Sequence, residues 1–564
     1  MSACQLDNIS PSYGYANLTS LTALDLSYNK FSCELPNWLF NLSNVLHLDL
    51  SVSKFTGLLP ESLGNLIYLE FVDLSNNSFS GPIPATLGNL SSLTFLDLEK
   101  NQLNGTLPES IWQLPNLMAS SVASNYLSGV VSEVNFSRLS RLKLLDMAAN
   151  AFIIDVNSHW IPPFQLQMIS IGSCKLGPKL PAWLQTQKSL KYIDISKAGL
   201  VDAAPDWFWN FAACVKCIKL SNNAISGDLS NVLLNSSFID LSSNHFRGQL
   251  PLISPHITMY NVANNSFSGP ISPSICSVVN IENKLEVMDL SRNNLSGDLP
   301  DCWRHWQSLL HLNLGSNILS GKIPNSLDNW HNDEYGSLDY DYGLYLENLM
   351  LMTKGRESEY TKNLEYLRAI DLSSNNLSRS IPTEIFLLAK LQSLNLSQNH
   401  LIGKISKDIG SMKSLESLDL SRNHLFGEIP SSMSNLSFLS YLNLSYNHFS
   451  GAIPLSTQLQ SFDALSYIGN PQLCGDPFPK TCVSLNGTPV GKNDDDYGNS
   501  SFYMGMGVGF AIGFWVVCGV LFFNRTWRHV YFRFLDDMKD WVYVTTVLKG
   551  NRFLQNLRSC NFCK

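Results

Sequence analysis

The chain has 564 residues, of which 45% are apolar, and a formal net charge of −8. At this length it could form several domains. The acidic balance argues against nucleic acid as a partner, because binding to a phosphate backbone needs a basic surface.

A segment of the form L-x-L-x-x-N recurs along the chain, in most places at steps of 24 residues. This period predicts a leucine-rich repeat solenoid of α/β type with one curved parallel sheet. The leucines of each short strand point inward and the residue between them points outward. One repeat cannot bury its own leucines, so each is stabilised by its neighbours. The recurring Asn, or the residue in its place, stands at Asn29, Ser53, Asn77, Asn101, Asn125, Asn150, Cys174, Ala198, Asn223, Asn244, Asn265, Asn293, Asn317, Asn375, Asn399, Asn423 and Asn447.

The recurring Asn is expected to close each strand. Its amide can satisfy backbone groups that the following turn would otherwise bury unpaired. Ser53, Cys174 and Ala198 occupy this position without an amide. The sequence therefore predicts local weak points at these three repeats.

The second half of most repeats reads G-x-[IL]-P, as in Gly81-Pro82-Ile83-Pro84. Gly permits the turn, and Pro fixes an extended backbone without a donor. This variant resembles the plant-specific class of extracellular leucine-rich repeats. We expect a remnant of an N-terminal repeat at residues 1–19, repeats at 20–327, four more at 365–462, and a C-terminal cap at 463–486.

Residues 328–364 interrupt the repeats with a segment rich in Tyr and acidic residues. One interpretation is a flexible acidic linker. The other, which we favour, is an island that leaves the concave side beside the last four repeats. Aromatic side chains at such a position give a large contact area at low entropic cost.

The outward strand positions are the candidate ligand-binding surface. The residue between the leucines is repeatedly Asp, from Asp25 to Asp419. A row of carboxylates could attract a basic ligand, but for this repeat type we favour a structural role. The more variable outward positions discriminate better between ligands, and the candidates are Phe71, Phe95, Tyr192, Phe238, Arg292, Arg422 and Tyr441.

N-x-[ST] sequons are dense, as suits the surface of a protein of the secretory pathway. The alternative is that the N-L-S of the repeat generates them by chance. Asn395 and Asn443 fall inside concave strands, where a glycan would block ligand access to the last repeats. The full set is Asn8, Asn17, Asn41, Asn76, Asn89, Asn104, Asn135, Asn235, Asn264, Asn294, Asn376, Asn395, Asn435, Asn443, Asn486 and Asn499.

The chain contains 12 Cys residues. Cys276 with Cys302, and Cys474 with Cys482, have the spacing of candidate disulfides in an oxidising compartment. The C-x-x-C motif at 214–217 has no second such pair and no His pair nearby, so we predict no metal site there.

Residues 502–523 carry no charge, and as a helix they would span roughly 33 Å, which matches a bilayer core. The acidic linker at 487–501 precedes them and contains Asp494, Asp495 and Asp496. Basic residues follow the span. The positive-inside rule therefore puts the repeats outside the cell and the tail in the cytosol.

Within this span, Gly505, Gly509 and Gly513 form two overlapping G-x-x-x-G steps, which allow close approach of a second helix. Gly is common in membrane helices, but beneath a receptor-like ectodomain we favour a partner helix. The tail at 524–564 has no kinase motif and is too short for a kinase fold, so signalling must be delegated to another chain.

Together these features resemble plant receptor-like proteins that lack a kinase domain, in particular the branch of the fungal xylanase receptors and the Cf-type resistance proteins. The resemblance rests on the island motif K-G-R-E-x-E-Y, the cap Gly469-Asn470-Pro471-Gln472-Leu473-Cys474-Gly475, the acidic linker, the G-x-x-x-G span, and the tail beginning Trp527-Arg528-His529-x-Tyr531-Phe532.

The resemblance implies a plasma-membrane defence receptor, single-pass with its N-terminus outside, that binds an extracellular protein or peptide. It implies signalling through an adaptor receptor kinase of SOBIR type and a BAK-type co-receptor. The residues it assigns to the adaptor are Gly505, Gly509, Gly513, Asp494, Asp495 and Asp496, and those it assigns to ligand or co-receptor recognition are Lys354, Arg356, Glu357 and Tyr360. Family members begin with a signal peptide and a cysteine-paired cap, which residues 1–20 lack, so we expect an N-terminally truncated member.

Two other functions compete with this interpretation. The first is a developmental co-receptor for endogenous peptides, similar to Clavata-type receptor-like proteins, which only the island motif disfavours. The second is an inhibitor like the polygalacturonase-inhibiting proteins, which would not need the apolar span. No catalytic set and no metal-spaced cluster stands out, so we expect neither an enzyme nor a cofactor.

Overall fold

The computed structural model describes residues 2–4, 6, 20–277, 283–328, 349–353, 356–360, 367–478 and 482. These residues all belong to the first of two units into which the chain divides, Met1–Cys482. The predicted acidic linker, membrane segment and tail lie outside the described residues, and so does Lys354.

The described repeats each contribute one short strand to a parallel sheet. Neighbouring strands pair in register, so that Phe71 lies beside Phe95 and Asp73 beside Asp97. This repeated register confirms the predicted solenoid, with one strand per repeat. The strands of this concave sheet are Ala23–Asp25, His47–Asp49, Phe71–Asp73, Phe95–Asp97, Ala119–Ser121, Leu144–Asp146, Met168–Ser170, Tyr192–Asp194, Cys217–Lys219, Phe238–Asp240, Met259–Asn261, Val287–Asp289, His311–Asn313, Ala369–Asp371, Ser393–Asn395, Ser417–Asp419 and Tyr441–Asn443.

The inward side chains form one continuous core that runs through the stacked repeats, from Leu26 to Leu473. Phenylalanines on successive turns also stack inside it. The ring centroids of Phe31 and Phe55 lie 4.9 Å apart, and those of Phe55 and Phe79 lie 6.1 Å apart. Each repeat therefore buries its apolar face against its neighbours, which makes stability depend on nearest-neighbour contacts.

A second set of strands lies on the side of the solenoid, after the recurring Asn of each repeat. The glycine of the G-x-[IL]-P motif ends many of these strands with positive φ, +75° at Gly81 and +87° at Gly427, where a residue with a Cβ would be strained. The lateral strands are Thr56–Leu58, Ser78–Pro82, Gln102–Gly105, Tyr126–Val131, Ala151–Ile154, Ser226–Asp228, Leu233–Leu234, His245–Gly248, Leu252–Ile253, Ser266–Gly269, Asn294–Asp298, Ile318–Ser320, Ser378–Arg379, His400–Gly403, His424–Gly427, His448–Ala452 and Gln472–Cys474.

The helical segments between the sheets are mostly 3₁₀ turns, which is a correction to the α/β description expected from the sequence. A proline in extended conformation precedes many of them, as Pro84 precedes Ala85–Asn89. Each 3₁₀ segment has only three to five residues, a length that is usual for this tighter helix. The 3₁₀ segments are Asn37–Asn41, Glu61–Asn65, Ala85–Asn89, Ile111–Gln113, Ala182–Thr186, Trp303–His305, Asn325–Asp328, Thr383–Leu387, Lys407–Ser411, Ser431–Asn435 and Ala464–Ser466, and the α-helices are Asp206–Ala212, Ser272–Ile275 and Thr457–Gln460.

The recurring Asn forms a ladder of buried amides that satisfies the backbone, as predicted. Asn423 Nδ2 donates to the carbonyls of Leu396, Leu420 and Ser421 at 2.9–3.2 Å. Its Oδ1 accepts from the Leu401 amide of the preceding repeat at 3.0 Å. One side chain therefore ties two repeats together.

At two of the three substituted positions, Ser53 and Ala198, the main chain supplies the acceptor that the amide oxygen would have given, while the weak points expected at all three stay a prediction. At Ala198 the main-chain carbonyl itself accepts from Leu176 N–H at 2.9 Å and from Gly177 N–H at 3.0 Å. The Ser53 carbonyl likewise accepts from the Phe31 amide at 3.0 Å. A shorter side chain lets the backbone move in, so its carbonyl replaces the missing amide oxygen.

The concave sheet continues across the predicted island, because the strand His311–Asn313 pairs directly with Ala369–Asp371. Within the interruption, Leu349–Thr353 and Arg356–Tyr360 form an antiparallel hairpin. The intervening chain therefore leaves the sheet without breaking its register.

Disulfides join both cysteine pairs that the spacing suggests. The Cα atoms of Cys276 and Cys302 lie 5.8 Å apart, and those of Cys474 and Cys482 lie 5.2 Å apart. In the part of the chain that the structure describes, none of the helices has the length and apolar content to cross a membrane.

Candidate ligand-binding face

The concave face presents two outward rows of side chains, one on each side of the buried central residue of every strand. We call the first residues of the concave strands the first row and the third residues the second row. A groove of about 820 Å³ follows this face, and its lining runs from Glu99 to Tyr441. Both rows therefore open into the same space.

The second row is the predicted row of aspartates, and it has the structural role that we favoured. Asp49 Oδ1 accepts from the Ser51 backbone amide at 2.9 Å and from the Ser51 hydroxyl at 2.7 Å. The same contacts recur where Asp240 accepts from Ser242. One carboxylate oxygen therefore caps the end of the strand.

In the later repeats the second row alternates between Asp and Asn. Asn313 Nδ2 donates to Asp289 Oδ2 at 3.1 Å, and Asn443 Nδ2 donates to Asp419 Oδ2 at 3.3 Å. These amides occupy the second carboxylate oxygen. The earlier repeats have consecutive carboxylates instead, so the face is most acidic there.

Burial and neighbouring carboxylates raise the pKa values of aspartates in the second row. Desolvation, with added repulsion from Asp73 and Glu99, raises the pKa of Asp97 to about 8. Desolvation likewise raises the pKa of Asp146 to about 7. A basic group on a ligand would favour the charged form of both, so the earlier half of the face favours cationic groups.

The candidates Phe71 and Phe95 meet in the first row, half-buried. Their ring centroids lie 4.3 Å apart, and the His47 ring stacks on Phe71 at 4.1 Å. The three rings form an apolar ridge beside Asp73 and Asp97. Its exposed edges can contact an apolar ligand surface.

The candidates Tyr192 and Phe238 flank Cys217 in the first row of the middle repeats. Together with Met168 they form a small apolar cluster on the concave face. The Lys219 ammonium lies 5.8 Å from the Tyr192 ring centroid and 5.4 Å from that of Phe238. Met168, Tyr192 and Cys217 are buried, so this part of the face is enclosed.

The remaining candidates are spread along the solenoid and do not meet. Arg292 is exposed. The Arg422 guanidinium lies 4.5 Å from the Tyr446 ring centroid, and the Tyr441 hydroxyl donates to Asp419 at 3.2 Å. Arg356, Glu357 and Tyr360 belong to the hairpin strand Arg356–Tyr360.

The described sequons divide by exposure. Asn395 and Asn443 lie half-buried in concave strands, and Asn395 Nδ2 donates to Asp371 Oδ2 at 2.9 Å. Asn135 is also half-buried. The exposed sequon residues are Asn41, Asn76, Asn89, Asn104, Asn235, Asn264, Asn294, Asn376 and Asn435, while Asn8, Asn17, Asn486 and Asn499 lie outside the described residues.

Sequence reasoning missed three residues of this face: His47, Cys217 and Lys219. A signal for the last two was present, because Cys217-Ile218-Lys219 stands where other repeats carry an apolar residue followed by L-D. Aligning the repeats position by position would have shown the single cation in a row of acids and amides.

A comparison with known protein families identifies the repeats. The Leucine Rich Repeat family model matches residues 20–42, 44–66, 68–90, 92–114, 284–306, 308–330, 366–388, 390–412, 414–436 and 438–458. The matched segments lie on both sides of the island, so the same repeat type builds both parts.

Two relatives come from tomato, Solanum lycopersicum. Receptor-like protein EIX2 is 41% identical over 549 residues, covering 76% of this chain and 54% of its own length. Receptor-like protein EIX1 is 36% identical over 554 residues, covering 76% and 53%. The chain thus spans about half the length of the curated relatives it matches.

Among solved structures, the ectodomain of the Arabidopsis receptor kinase HAESA in complex with an IDA peptide hormone superposes with a TM-score of 0.61 at 28% identity, covering 83% of this chain and 72% of that one. HAESA in complex with IDA and the co-receptor SERK1 superposes with a TM-score of 0.52 at 26% identity, covering 81% and 83%. By its repeats and its fold the chain is a leucine-rich repeat protein, and its sequence is similar to the receptor-like proteins of plants.

Proposed function

We propose that the protein is a plant defence receptor that binds a microbial or apoplastic protein or peptide on its concave face and signals through an associated receptor kinase. The observation that carries the proposal is the 41% identity to receptor-like protein EIX2 over most of the chain. The resemblance of the island and tail motifs to the xylanase-receptor branch makes a fungal xylanase the first ligand to test.

The concave face supports a ligand-binding role. Aromatic first-row residues such as Phe71 and Phe95 offer apolar contact area, while the aspartates beside them offer carboxylates. Partly exposed aromatics beside charged groups are typical of protein recognition sites. In HAESA the same fold holds a peptide hormone.

The signalling part of the proposal rests on the resemblance of the apolar span and the tail motifs to receptor-like proteins that signal through a partner. We propose an adaptor kinase of SOBIR type, bound through Gly505, Gly509 and Gly513. The acidic residues Asp494, Asp495 and Asp496 contribute to the same contact. A BAK-type co-receptor fits the precedent of HAESA, whose complex contains SERK1.

The partner proposal is tested by replacing the three glycines of the stripe with Leu in the full chain and measuring co-purification with the adaptor kinase from plant membranes. We expect association to fall at least about tenfold, since Leu prevents close helix approach. Gly507→Leu is the matched control, because residue 507 falls on the opposite face of a helix. Unchanged association of the triple variant would remove this helix from the mechanism.

A developmental co-receptor remains the second candidate. The HAESA complex with a peptide hormone favours it, because that structure shares the fold with this chain. A defence output triggered by a microbial protein distinguishes the two, since a developmental receptor responds to an endogenous peptide instead.

A further inference from the structure

Lys219 is the one cation of the second row among the described strands. The other second-row residues of these strands are Asp, Asn or Ser. In the register of the sheet, Lys219 lies between Asp194 and Asp240. It therefore reverses the sign of charge at one position of an acidic face.

The Lys219 side chain lies against the first row rather than extending into solvent. Cys217, on the same strand, is the small first-row residue between Tyr192 and Phe238. The ammonium approaches both rings, at 5.8 Å and 5.4 Å from their centroids. Lys219 is only 9% exposed as a result. The two rings and the thiol form a notch that holds the amine.

Among the described residues, no hydrogen bond and no ion pair within 4.0 Å involves the ammonium. Its charge acts on the Asp240 carboxylate only at longer range, where it partly offsets the burial that raises the pKa of that group. Asp194 and Asp240 each direct one oxygen to a serine, Ser196 and Ser242. A lysine has three donors, and burying them unpaired is costly. Cation–π contact is weaker than a charge-assisted hydrogen bond, so it does not replace an acceptor.

The missing acceptor can come from the groove. Lys219, Tyr192 and Phe238 all line it, together with Met168. A carboxylate is the strongest partner for an ammonium, because the hydrogen bond is charge-assisted. The surrounding rings suit an apolar group next to that carboxylate.

We propose that Lys219, Tyr192 and Phe238 form a subsite for a carboxylate of a peptide or protein ligand, with an apolar group beside it. The subsite deepens the proposed function and rests on it, since it names one chemical group that the concave face recognises. The flanking carboxylates of Asp194 and Asp240 disfavour ligands that are acidic throughout. The subsite therefore fixes the register of a ligand that presents one acid among basic or neutral groups.

The carboxylate can be an acidic side chain or a free C-terminus, and three small probes separate these sources. N-acetyl-phenylalanine carries a terminal carboxylate, N-acetyl-aspartyl-phenylalaninamide carries a side-chain carboxylate, and N-acetyl-phenylalaninamide carries none. Each is titrated against the purified full chain by ligand-observed NMR. We expect saturable binding of at least one acid and at least about tenfold weaker binding of the neutral amide.

Variants assign the binding to the proposed residue. Lys219→Met should lower the affinity for the acid that binds at least about tenfold. Lys219→Arg keeps the charge and should change that affinity less than about threefold. Lys197→Met is the matched control, because Lys197 is an exposed cation that lines the same groove. It should leave the affinity within about twofold. A circular dichroism melting curve like that of the wild type shows that each variant is folded.

The proposal is overturned if neither acid binds, if the neutral amide binds as well as the acids, or if Lys219→Met binds them like the wild type. Binding of a fungal xylanase to the same preparations is measured in parallel. Loss of the small-acid site with intact xylanase binding overturns the subsite alone. Absence of xylanase binding with intact small-acid binding counts against the proposed ligand instead and leaves the subsite standing.

Discussion

Asn395 donates its amide to the free carboxylate oxygen of Asp371 across neighbouring strands, with Nδ2 and Oδ2 2.9 Å apart. The Asp371 Oδ1 atom is already bonded to the Ser373 amide at 2.9 Å. Both oxygens are therefore occupied, and the carboxylate is held in place. Asp73 and Asp97 are also register neighbours, but once both carboxyl groups are ionised neither can donate to the other.

The pairing of Asp371 with Asn395 suggests a substitution that would remove the repulsion between Asp73 and Asp97 in the early repeats. Asp97→Asn can keep the Oδ1 contact with the Glu99 amide, which is 2.9 Å long, and can donate to Asp73. The pKa of Asp97 is raised from 3.8 to about 8, chiefly by desolvation, so the folded chain binds this proton more tightly than the unfolded chain. The free energy of unfolding should therefore fall as the pH rises from about 4 to about 8.

Asn cannot titrate, so Asp97→Asn should reduce that slope, to which Asp146 with its raised pKa also contributes. The variant should gain at least about 1.4 kcal/mol at pH 8, the equivalent of one pKa unit. Denaturant unfolding of the wild type and the variant at pH 4 and pH 8 measures the change in the free energy of unfolding. Glu109→Gln removes an exposed carboxylate and should leave the slope unchanged. An unaltered slope in Asp97→Asn would show that the carboxyl of Asp97 ionises normally.

Removing one asparagine of the ladder should lower the stability of the repeats around it. Asn423→Ala removes donors from the Leu396 and Leu420 carbonyls and an acceptor from the Leu401 amide, all of them buried. The Leu401 amide is then left without its acceptor, whereas the Leu396 and Leu420 carbonyls keep the donors of Asn399 and Asn447. The variant should therefore lose about 1–3 kcal/mol of stability. Hydrogen exchange of the Leu401 amide should accelerate strongly. Lys413→Ala, an exposed change in the same repeat, should leave that exchange rate as it is; equal rates in both variants would contradict the role of the ladder.

Asn, the usual residue at this position of the repeat, should be destabilising in place of Ala198. The Ala198 carbonyl already accepts from Leu176 and Gly177, and its side chain is fully buried, so no space remains for an amide. Ala198→Asn should therefore destabilise the chain by about 1–3 kcal/mol through overpacking. Thermal unfolding measures this, with the exposed Ala85→Asn as a control for the added amide. A variant as stable as the wild type would mean that the backbone had not closed over the gap.

The spacing of the leucines and asparagines was enough to predict the solenoid, because each repeat must bury the same face against its neighbours. The structural role of the aspartates followed from their regularity. Individual departures could not be predicted as well. The backbone shift at Ala198 depends on how far two adjacent turns can approach, which no single repeat reveals. The environment of Lys219 depends on Tyr192 and Phe238, which are distant in sequence and meet only in the sheet.

The central claim is that the concave face binds a protein ligand, and binding of purified fungal xylanase to the full chain by biolayer interferometry tests it most directly. The variant replaces Phe71, Phe95 and Phe238 with Ser on the concave face. The control is Phe438→Ser, because Phe438 is 66% exposed but lies outside the concave strands. The account predicts saturable wild-type binding, at least tenfold weaker in the triple variant and unchanged in the control. Equal binding by the triple variant, or loss in the control alone, would contradict it, and a wild-type chain that does not bind would exclude xylanase as the ligand.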